Sequence, residues 1–158
     1  MKKDELRVAK IPNGTVIDHI PRGRALHVFR ILGLTGEEGH VIAILMNVES
    51  KKLGKKDLLK IEGREVDPKE AQLISLVAPE ASLNIITDYK VTRKVKLYPP
   101  KVVEGLVKCQ NPACISNSEL EPIIPKLEVI STKPVALRCI YCGTRMQGEE
   151  IIAHLVGK

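Results

Sequence analysis

The stretch Cys109-Gln110-Asn111-Pro112-Ala113-Cys114, followed by Cys139-Ile140-Tyr141-Cys142, holds all four cysteines of this 158-residue chain. Two short loops with two thiols each let four sulfur atoms converge on one metal ion, a spacing typical of structural zinc sites. Four sulfur ligands leave no coordination position open for water, so such an ion would hold a fold together and would not perform catalysis. The sequence therefore predicts a Zn²⁺ ligated by Cys109, Cys114, Cys139 and Cys142.

Two disulfides, or four unrelated buried thiols, are the alternatives for these cysteines. The N-terminal sequence Met1-Lys2-Lys3-Asp4-Glu5 contains charges of both signs and no apolar signal region, which predicts a reducing, cytoplasmic location. No apolar run approaches the roughly 20 residues of a membrane span. We therefore expect a metal site, and we expect no membrane association.

The segment Leu97-Tyr98-Pro99-Pro100-Lys101 predicts a domain boundary, because two consecutive prolines continue neither a helix nor a central strand. We therefore expect one domain over residues 1–98 and a metal-stapled domain over residues 99–158. A segment of the second size buries too little apolar surface to be stable without such a staple.

Hydrophobic patterns before the boundary predict the order β-α-β-β-α-β. Strand pieces are expected over 7–11 and 14–20, a helix from Pro21 to about Leu32, strands over 40–48 and 58–62, a helix after the cap Asp67-Pro68-Lys69-Glu70, and strand material over 82–97. This order is that of the ferredoxin-like α+β fold, an antiparallel sheet with two helices on one face. After the boundary, strands over 104–108, 126–130, 135–138 and 149–156 predict a small all-β zinc-ribbon-like domain.

Positive charge is concentrated away from the cysteines: residues 1–100 carry 18 Lys and Arg against 13 Asp and Glu, and residues 101–158 carry 7 against 6. The surplus indicates either an anionic, phosphate-bearing partner or a solvated basic surface. With only Phe29, Tyr89, Tyr98 and Tyr141 as aromatic residues, the chain is poor in the rings on which single-stranded nucleic-acid readers stack bases, which argues against that class.

Four polar residues stand out among the strands of the first domain. Asp18 and His19 end a strand, and Lys60 and Lys94 interrupt apolar strands. Taken alone, such residues are most often a cap pair and surface lysines. No standard phosphate-binding glycine loop and no nucleophile–base arrangement occurs, so the sequence indicates no catalytic residue.

Four separated motifs resemble the regulatory chain of aspartate carbamoyltransferase, over essentially the whole chain. They are Gly14-Thr15-Val16-Ile17-Asp18-His19-Ile20-Pro21, Lys55-Lys56-Asp57-Leu58-Leu59-Lys60-Ile61-Glu62, Ala78-Pro79-Glu80-Ala81-Ser82-Leu83-Asn84, and Cys109-x-Asn111-x-x-Cys114-Ile115-Ser116 with Cys139-x-x-Cys142. The resemblance implies a non-catalytic subunit that modulates pyrimidine biosynthesis, binds CTP, UTP or ATP in its first domain, and holds the catalytic chain with its zinc domain. It also implies a homodimer through the sheets of the first domain.

The resemblance also assigns residue roles. It implies that Asp18 and Lys60 meet the ribose, and that His19 and Lys94 meet the phosphates. It implies that backbone near Ile11 and Tyr89 reads the base, and the remaining lining residues are Val8, Val16, Leu58, Asn84, Ile86 and Val91. Asn111 and Glu119 are the implied polar contacts to the catalytic chain.

Strict strand alternation places Lys94 on the opposite face from Tyr89 and Val91, so this site requires a β-bulge or a bend that turns Lys94 to their face. A nucleic-acid-binding zinc-ribbon protein is the alternative function, supported by the net charge of +6 and by the strand order. The scarcity of aromatic residues argues against it.

Overall fold

The first sheet has five antiparallel strands, in the order β2-β3-β1-β4-β5. The computed structural model describes residues 10–156. The elements of this half are β1 (Asn13–Pro21), α1 (Ala25–Ile31), β2 (Ile42–Ser50), β3 (Gly54–Glu62), α2 (Pro68–Val77), β4 (Ser82–Thr87) and β5 (Lys90–Lys96). The first four strands and two helices form the predicted ferredoxin-like unit, and β5 adds a fifth strand at one edge.

The core of this half lies between the sheet and its two helices. Ile17 of β1 stands opposite Leu59 of β3 and Leu83 of β4, and Val28 and Ile74 of the helices belong to the same buried cluster. Burying an aliphatic side chain of this size contributes about 1.5–3 kcal/mol, so this face fixes the register of all three strands. Alternation directs the intervening side chains to the other face, called the open face below.

The predicted start of α2 is confirmed. Asp67 caps the helix, its carboxylate accepts the Glu70 amide at 2.8 Å, and the Glu70 carboxylate accepts the Asp67 amide in return. Pro68 occupies the first turn, where its missing N–H costs nothing.

The predicted start of α1 is wrong. Pro21 does not open the helix; it ends β1 opposite Lys56, and α1 begins at Ala25. The chain first turns through Arg22 and Gly23, whose φ of +83° favours glycine. The proline cue misled because proline is equally compatible with a strand end, where no ladder N–H is needed.

Asp57 organises the region between β3 and α1. It is fully buried, and its carboxylate accepts the Ala25 amide at 3.0 Å and the Asn47 amide at 2.9 Å. The register shifts once in β1, between Ile17 and Ile20, and once in β2, between Leu45 and Val48. Both neighbours of β3 therefore bulge around this buried carboxylate.

The second sheet has four antiparallel strands in the order β6-β7-β8-β9, followed by a short helix. Its elements are β6 (Val102–Glu104), β7 (Lys126–Thr132), β8 (Val135–Cys139), β9 (Arg145–Gln147) and α3 (Glu149–Ala153). The strands predicted near 126–130 and 135–138 are confirmed, and the strand predicted over 104–108 is displaced to Val102–Glu104. Val103, Leu127, Leu137 and Met146 form its buried centre.

The strand predicted over 149–156 is wrong, because residues Glu149–Ala153 form α3. Gly148 breaks the preceding strand with a φ of +58°, and two acidic residues then favour a helix N-terminus. Ile151 of α3 is buried, and Leu155, which follows the helix, is buried as well. The second half is therefore mostly, but not entirely, β.

Residues 97–101 join the two sheets. The Leu97 amide donates to the Ala81 carbonyl at 2.8 Å, and the Glu80 amide donates to the Leu97 carbonyl at 2.9 Å. The connection is thus tied by backbone hydrogen bonds to the turn before β4. Within residues 10–156, none of the helices combines the length and apolar character that crossing a bilayer requires.

Candidate functional site

The four cysteine sulfurs lie together, all within 4.8 Å of one another. Cys109 Sγ is 3.5 Å from Cys142 Sγ, and Cys114 Sγ is 3.6 Å from Cys139 Sγ. A tetrahedral ion with metal–sulfur bonds of about 2.3 Å requires sulfur separations of about 3.8 Å. These two pairs lie within a few tenths of an ångström of that separation and the other sulfur distances do not exceed 4.8 Å, so the four cysteines converge as the sequence predicted.

Backbone turns shape both cysteine loops. In the first, the Asn111 amide donates to Cys109 Sγ at 3.4 Å and the Cys114 amide donates to the Asn111 carbonyl at 3.0 Å. In the second, Gly143 has a φ of +79° and donates its amide to the Cys139 carbonyl at 2.9 Å. Such turns bring paired sulfurs together without strain in the intervening chain.

Asn111 and Glu119 differ in their surroundings. Asn111 uses its side-chain oxygen to accept the Ala113 amide at 3.0 Å, so it also stabilises the first loop. Its carbonyl accepts the Asn117 side-chain amide at 2.8 Å. Glu119 is exposed, in the loop after the first pair of cysteines.

An exposed apolar surface adjoins the cysteine loops, and we call it the apolar knuckle surface. Its members are Ile115, Leu120, Ile124, Ile140 and Tyr141. Ile115 follows one ligand directly, Ile140 and Tyr141 lie between the last two ligands, and the Tyr141 hydroxyl donates to the Ile124 carbonyl at 2.9 Å. Leu120 is 92% exposed. Exposed apolar side chains concentrated near the cysteine loops make this part of the chain a candidate interaction surface.

The open face of the first sheet carries a polar row across four strands. Lys60 of β3 pairs with Val16 of β1, Val16 pairs with Asn84 of β4, and Asn84 pairs with Lys94 of β5. Because paired residues point to the same face, these side chains lie side by side opposite the helices. Leu58, two residues before Lys60, lies on this face too.

The register of β5 resolves the position of Lys94. Ile85 pairs with Arg93, but Ile86 pairs with Val91, so one residue is inserted in β5 at this point. This bulge brings Val91 and Lys94 to the same face despite their odd spacing. Of the bulge or bend that the sequence called for, the structure contains the bulge.

Asp18 and His19 lie in the bulge of β1 opposite Leu58. His19 has a φ of +57°, and its amide is accepted by the Asp18 carboxylate at 2.6 Å. That carboxylate also forms an ion pair of 2.8 Å with Lys56. A left-handed conformation at a histidine costs energy and often marks a functional position.

Burial lowers the pKa of His19 below 6.5; the Asp18 carboxylate opposes this shift, whereas Lys56, Lys52 and Lys94 add to it. Burial likewise lowers the pKa of Lys60, against the effect of Asp18. The open face therefore concentrates positive charge where it is partly removed from water, which favours an anionic ligand.

His19 and the lysines near it form a basic cluster at one end of the open face, with the members Lys52, Lys56, Lys94 and Lys96. Sequence reasoning missed several of these lysines. Lys56 and Lys52 have no role in the site predicted from the sequence, yet both lie close enough to His19 to lower its pKa. Lys96 stands opposite Ser82, whose hydroxyl is 3.4 Å from His19 Nδ1. The pairing of Pro21 with Lys56 positions this hairpin, and only the register reveals it.

The opposite end of the open face is bounded by two adjoining loops. The Tyr89 amide donates to the Pro12 carbonyl at 3.0 Å, next to the buried Ile11. Tyr89 has a φ of +65° and an exposed ring, and Ile86 and Val91 lie beside this loop. Val8 lies outside the described residues.

Two family models match this chain. One, described as "Aspartate carbamoyltransferase regulatory chain, allosteric domain", covers residues 6–98. The other, described as "Aspartate carbamoyltransferase regulatory chain, metal binding domain", covers residues 101–152. Neither description is of a catalytic domain, in agreement with the lack of a catalytic arrangement in the sequence.

Curated relatives match over nearly their full length. The chain is 54% identical over 155 residues to the aspartate carbamoyltransferase regulatory chain of Saccharolobus solfataricus, covering 98% of this chain and 97% of the relative. A chain of the same name from Hyperthermus butylicus is 52% identical over 150 residues, covering 95% and 94%. The chain therefore belongs to the family of aspartate carbamoyltransferase regulatory chains.

Proposed function

We propose that this chain binds a nucleoside triphosphate, CTP, UTP or ATP, on the open face of its first domain and thereby modulates a separate catalytic chain in pyrimidine biosynthesis. In this proposal residues 1–98 form the nucleotide-binding domain and residues 99–158 form a zinc domain that contacts the catalytic chain. The convergence of His19, Lys60 and Lys94 with Asp18 on one sheet face is the observation that carries the proposal.

Each end of the open face suits one part of a nucleotide. The basic cluster around His19 and Lys94 offers cations and N–H donors to phosphate oxygens. Asp18 can accept a ribose hydroxyl, and Lys60 lies on the same face. The loops at Ile11 and Tyr89 present backbone groups to a base, with Ile86 and Val91 as apolar contacts. The four strands that meet at this face contain no Phe, Tyr or Trp, which argues against a single-stranded nucleic acid stacked along it.

We infer that the metal of the four-cysteine cluster is Zn²⁺ with a structural role. Four thiolates in a tetrahedral arrangement are its preferred structural ligand set, and they leave no site for a substrate or water. Thiolate ligation also suits the reducing cytoplasm. When bound, the ion would neutralise thiolate charge and hold the two cysteine loops together.

The apolar knuckle surface supports association with a catalytic chain. Zinc ligation fixes the loops that carry these residues, and a fixed surface loses less entropy on docking than a mobile one. Asn111 and Glu119 provide polar groups near this surface. We infer that the metal acts on assembly through this rigidity.

A homodimer through the first sheet is supported by strand β2. It is an edge strand, and Ile42, Ile44, Leu45 and Met46 are only partly buried although they are apolar. Such an edge offers unpaired backbone groups and apolar surface to a second copy of the sheet.

The mechanism in this proposal is thermodynamic linkage. A nucleotide that binds two quaternary states with different affinity shifts their balance by that difference, typically about 1–3 kcal/mol. The zinc domain transmits the shift because it contacts the catalytic chain.

Isothermal titration of CTP into the complex of regulatory and catalytic chains tests the nucleotide site. We expect Lys60→Ala and Lys94→Ala to raise the Kd for CTP about tenfold or more, because a hydrogen bond to a charged group contributes about 1.5–3 kcal/mol. Native mass spectrometry should show the complex still assembled. Arg93→Ala is the matched control, since Arg93 pairs with Ile85 on the other face, and its Kd should stay within about twofold. Equal affinity in all variants would contradict the site.

A further inference from the structure

Glu80 occupies a strained position where the two halves of the chain meet. It follows α2 with a φ of +66°, and its amide donates to the Leu97 carbonyl at 2.9 Å. A non-glycine residue in this conformation persists where its surroundings hold it there, and such residues cluster at functional sites.

The Glu80 carboxylate bridges the two sheets. One oxygen lies 3.5 Å from Lys96 Nζ at the end of β5, and the other lies 3.5 Å from Lys133 Nζ between β7 and β8. Lys133, and then Lys96, lower the pKa of Glu80, so the carboxylate is charged at neutral pH. One side chain thus links a strand of the open face to a hairpin of the metal-binding half.

Lys96 belongs both to the Glu80 ion pairs and to the basic cluster of the open face. It stands opposite Ser82, which contacts His19, and it follows Lys94 by two residues on the same face. It also neighbours Lys52: a side-chain hydrogen bond between the two lysines, together with burial and the charge of Lys96, lowers the pKa of Lys52. An anion that enters this basic cluster therefore competes with Glu80 for Lys96.

A cleft of about 280 Å³ lies between residues of the two halves of the chain. Leu76 and Val77 line one wall, and Pro134, Val135 and Ile152 line the other. His27 and Glu149 also line this cleft, and His27 Nε2 lies 3.8 Å from the Glu149 carboxylate. Because apolar packing is incomplete at the cleft, polar links such as Glu80–Lys133 have more influence on how the halves are held.

We propose that Glu80 is a positioning residue through which nucleotide binding is coupled to the metal-binding half. Phosphate groups attract Lys96 towards the nucleotide, so Glu80 loses its ion pair with Lys96. The strength of the remaining ion pair between Glu80 and Lys133 then changes. This rests on the proposed function, because it requires an anionic nucleotide on the open face.

The test measures coupling in the assembled complex with the catalytic chain. The Kd for CTP is determined with and without a substrate analogue that saturates the catalytic sites, and the ratio of the two values reports the coupling. In Glu80→Gln and in Lys133→Met we expect this ratio to move about two- to fivefold towards one, the range of a single exposed ion pair. The Kd for CTP without analogue should stay within about threefold.

Two controls make the outcomes distinguishable. Glu65→Gln removes an exposed carboxylate from the loop before α2 and should leave the ratio unchanged. Lys133→Met changes an exposed side chain at a hairpin tip, so it tests the link even if Glu80→Gln fails to fold. A ratio that is unchanged in both variants, or already one in the wild type, overturns the role of Glu80. Absence of CTP binding by the wild-type complex would instead overturn the proposed function.

Discussion

His19 combines three properties that suit a phosphate contact: a left-handed backbone, partial burial and a surrounding group of lysines. In the free protein its lowered pKa keeps the imidazole mostly neutral at pH 7. A neutral imidazole avoids adding to the repulsion among Lys52, Lys56 and Lys94. It can take up a proton when a negative ligand arrives, because the ligand raises its pKa.

This linkage predicts a pH dependence of nucleotide affinity. Because the pKa of His19 rises on binding, a proton is taken up, and affinity should increase as the pH falls from 8 towards 6. Titration of the nucleotide's own phosphate also contributes, so wild type and His19→Asn should be compared at each pH by calorimetry. We expect the wild type to bind CTP about tenfold more tightly than His19→Asn at pH 6. At pH 8 we expect the wild type to bind less than about threefold more tightly than the variant. A difference that does not change with pH would contradict protonation of His19 on binding.

At single residues, the sequence predicted what local patterns encode and missed what register decides. The metal site was predictable because the spacing of the four cysteines along the sequence is itself the signal, and the structure brings all four together. Lys94 was predicted to reach the face of the site only if β5 contained a bulge or a bend. The register of β5 contains a bulge. Lys56 and Lys96 were missed as members of the basic cluster, because their position depends on how strands pair across the sheet and no local motif marks them.

Among the elements, α1 depends most clearly on a residue distant in sequence. Its own N-cap position is Arg24, which makes no side-chain capping bond. Asp57 of β3 instead accepts the Ala25 amide, and it accepts the Asn47 amide at the β2 bulge as well. A carboxylate near a helix N-terminus is favoured by the helix dipole, and burial strengthens that interaction.

Asp57→Ala should therefore destabilise the first half of the chain strongly. It leaves two backbone N–H groups without acceptors in a buried site, and we expect a loss of roughly 3 kcal/mol. Urea unfolding followed by circular dichroism would measure it. Asp67→Ala is the control: it removes the exposed cap of α2 and should cost only about 1 kcal/mol. Equal losses of unfolding free energy in the two variants would show that burial of Asp57 adds nothing to the stability that a helix cap provides.

The elements with local signals were the ones predicted correctly. The start of α2 is encoded by Asp67, Pro68 and Glu70 within four residues, and it was confirmed. The start of α1 was wrong because its cap comes from another strand. The strand predicted over 149–156 was wrong because a short apolar run fits helix and strand alike, and Gly148 decides between them.

At the scale of the whole molecule, the two halves are stabilised differently. The first has a sheet covered by two helices, with Ile17, Leu59 and Ile74 fully buried. The second has short strands around a few buried side chains, of which Leu127 and Leu137 are central, and its cysteine loops contain little regular structure. We expect the first half to be stable without metal and the second to require it.

Metal removal should therefore separate the two proposed activities. Structural zinc contributes about 10–16 kcal/mol in small domains, which exceeds what the second sheet can supply, so chelation should unfold the cysteine loops and the apolar knuckle surface with them. Native mass spectrometry should show loss of the catalytic chain, while calorimetry should show a Kd for CTP within about threefold of the metal-bound value.

Cys114→Ala should reproduce this result, whereas Ser116→Ala, which removes the hydroxyl 3.2 Å from Cys114 Sγ, should leave the assembly intact. Restored zinc should rescue the chelated wild type but not Cys114→Ala. A metal-free chain that still holds its catalytic partner would contradict the structural role of the metal, and parallel loss of CTP binding would contradict the independence of the first half.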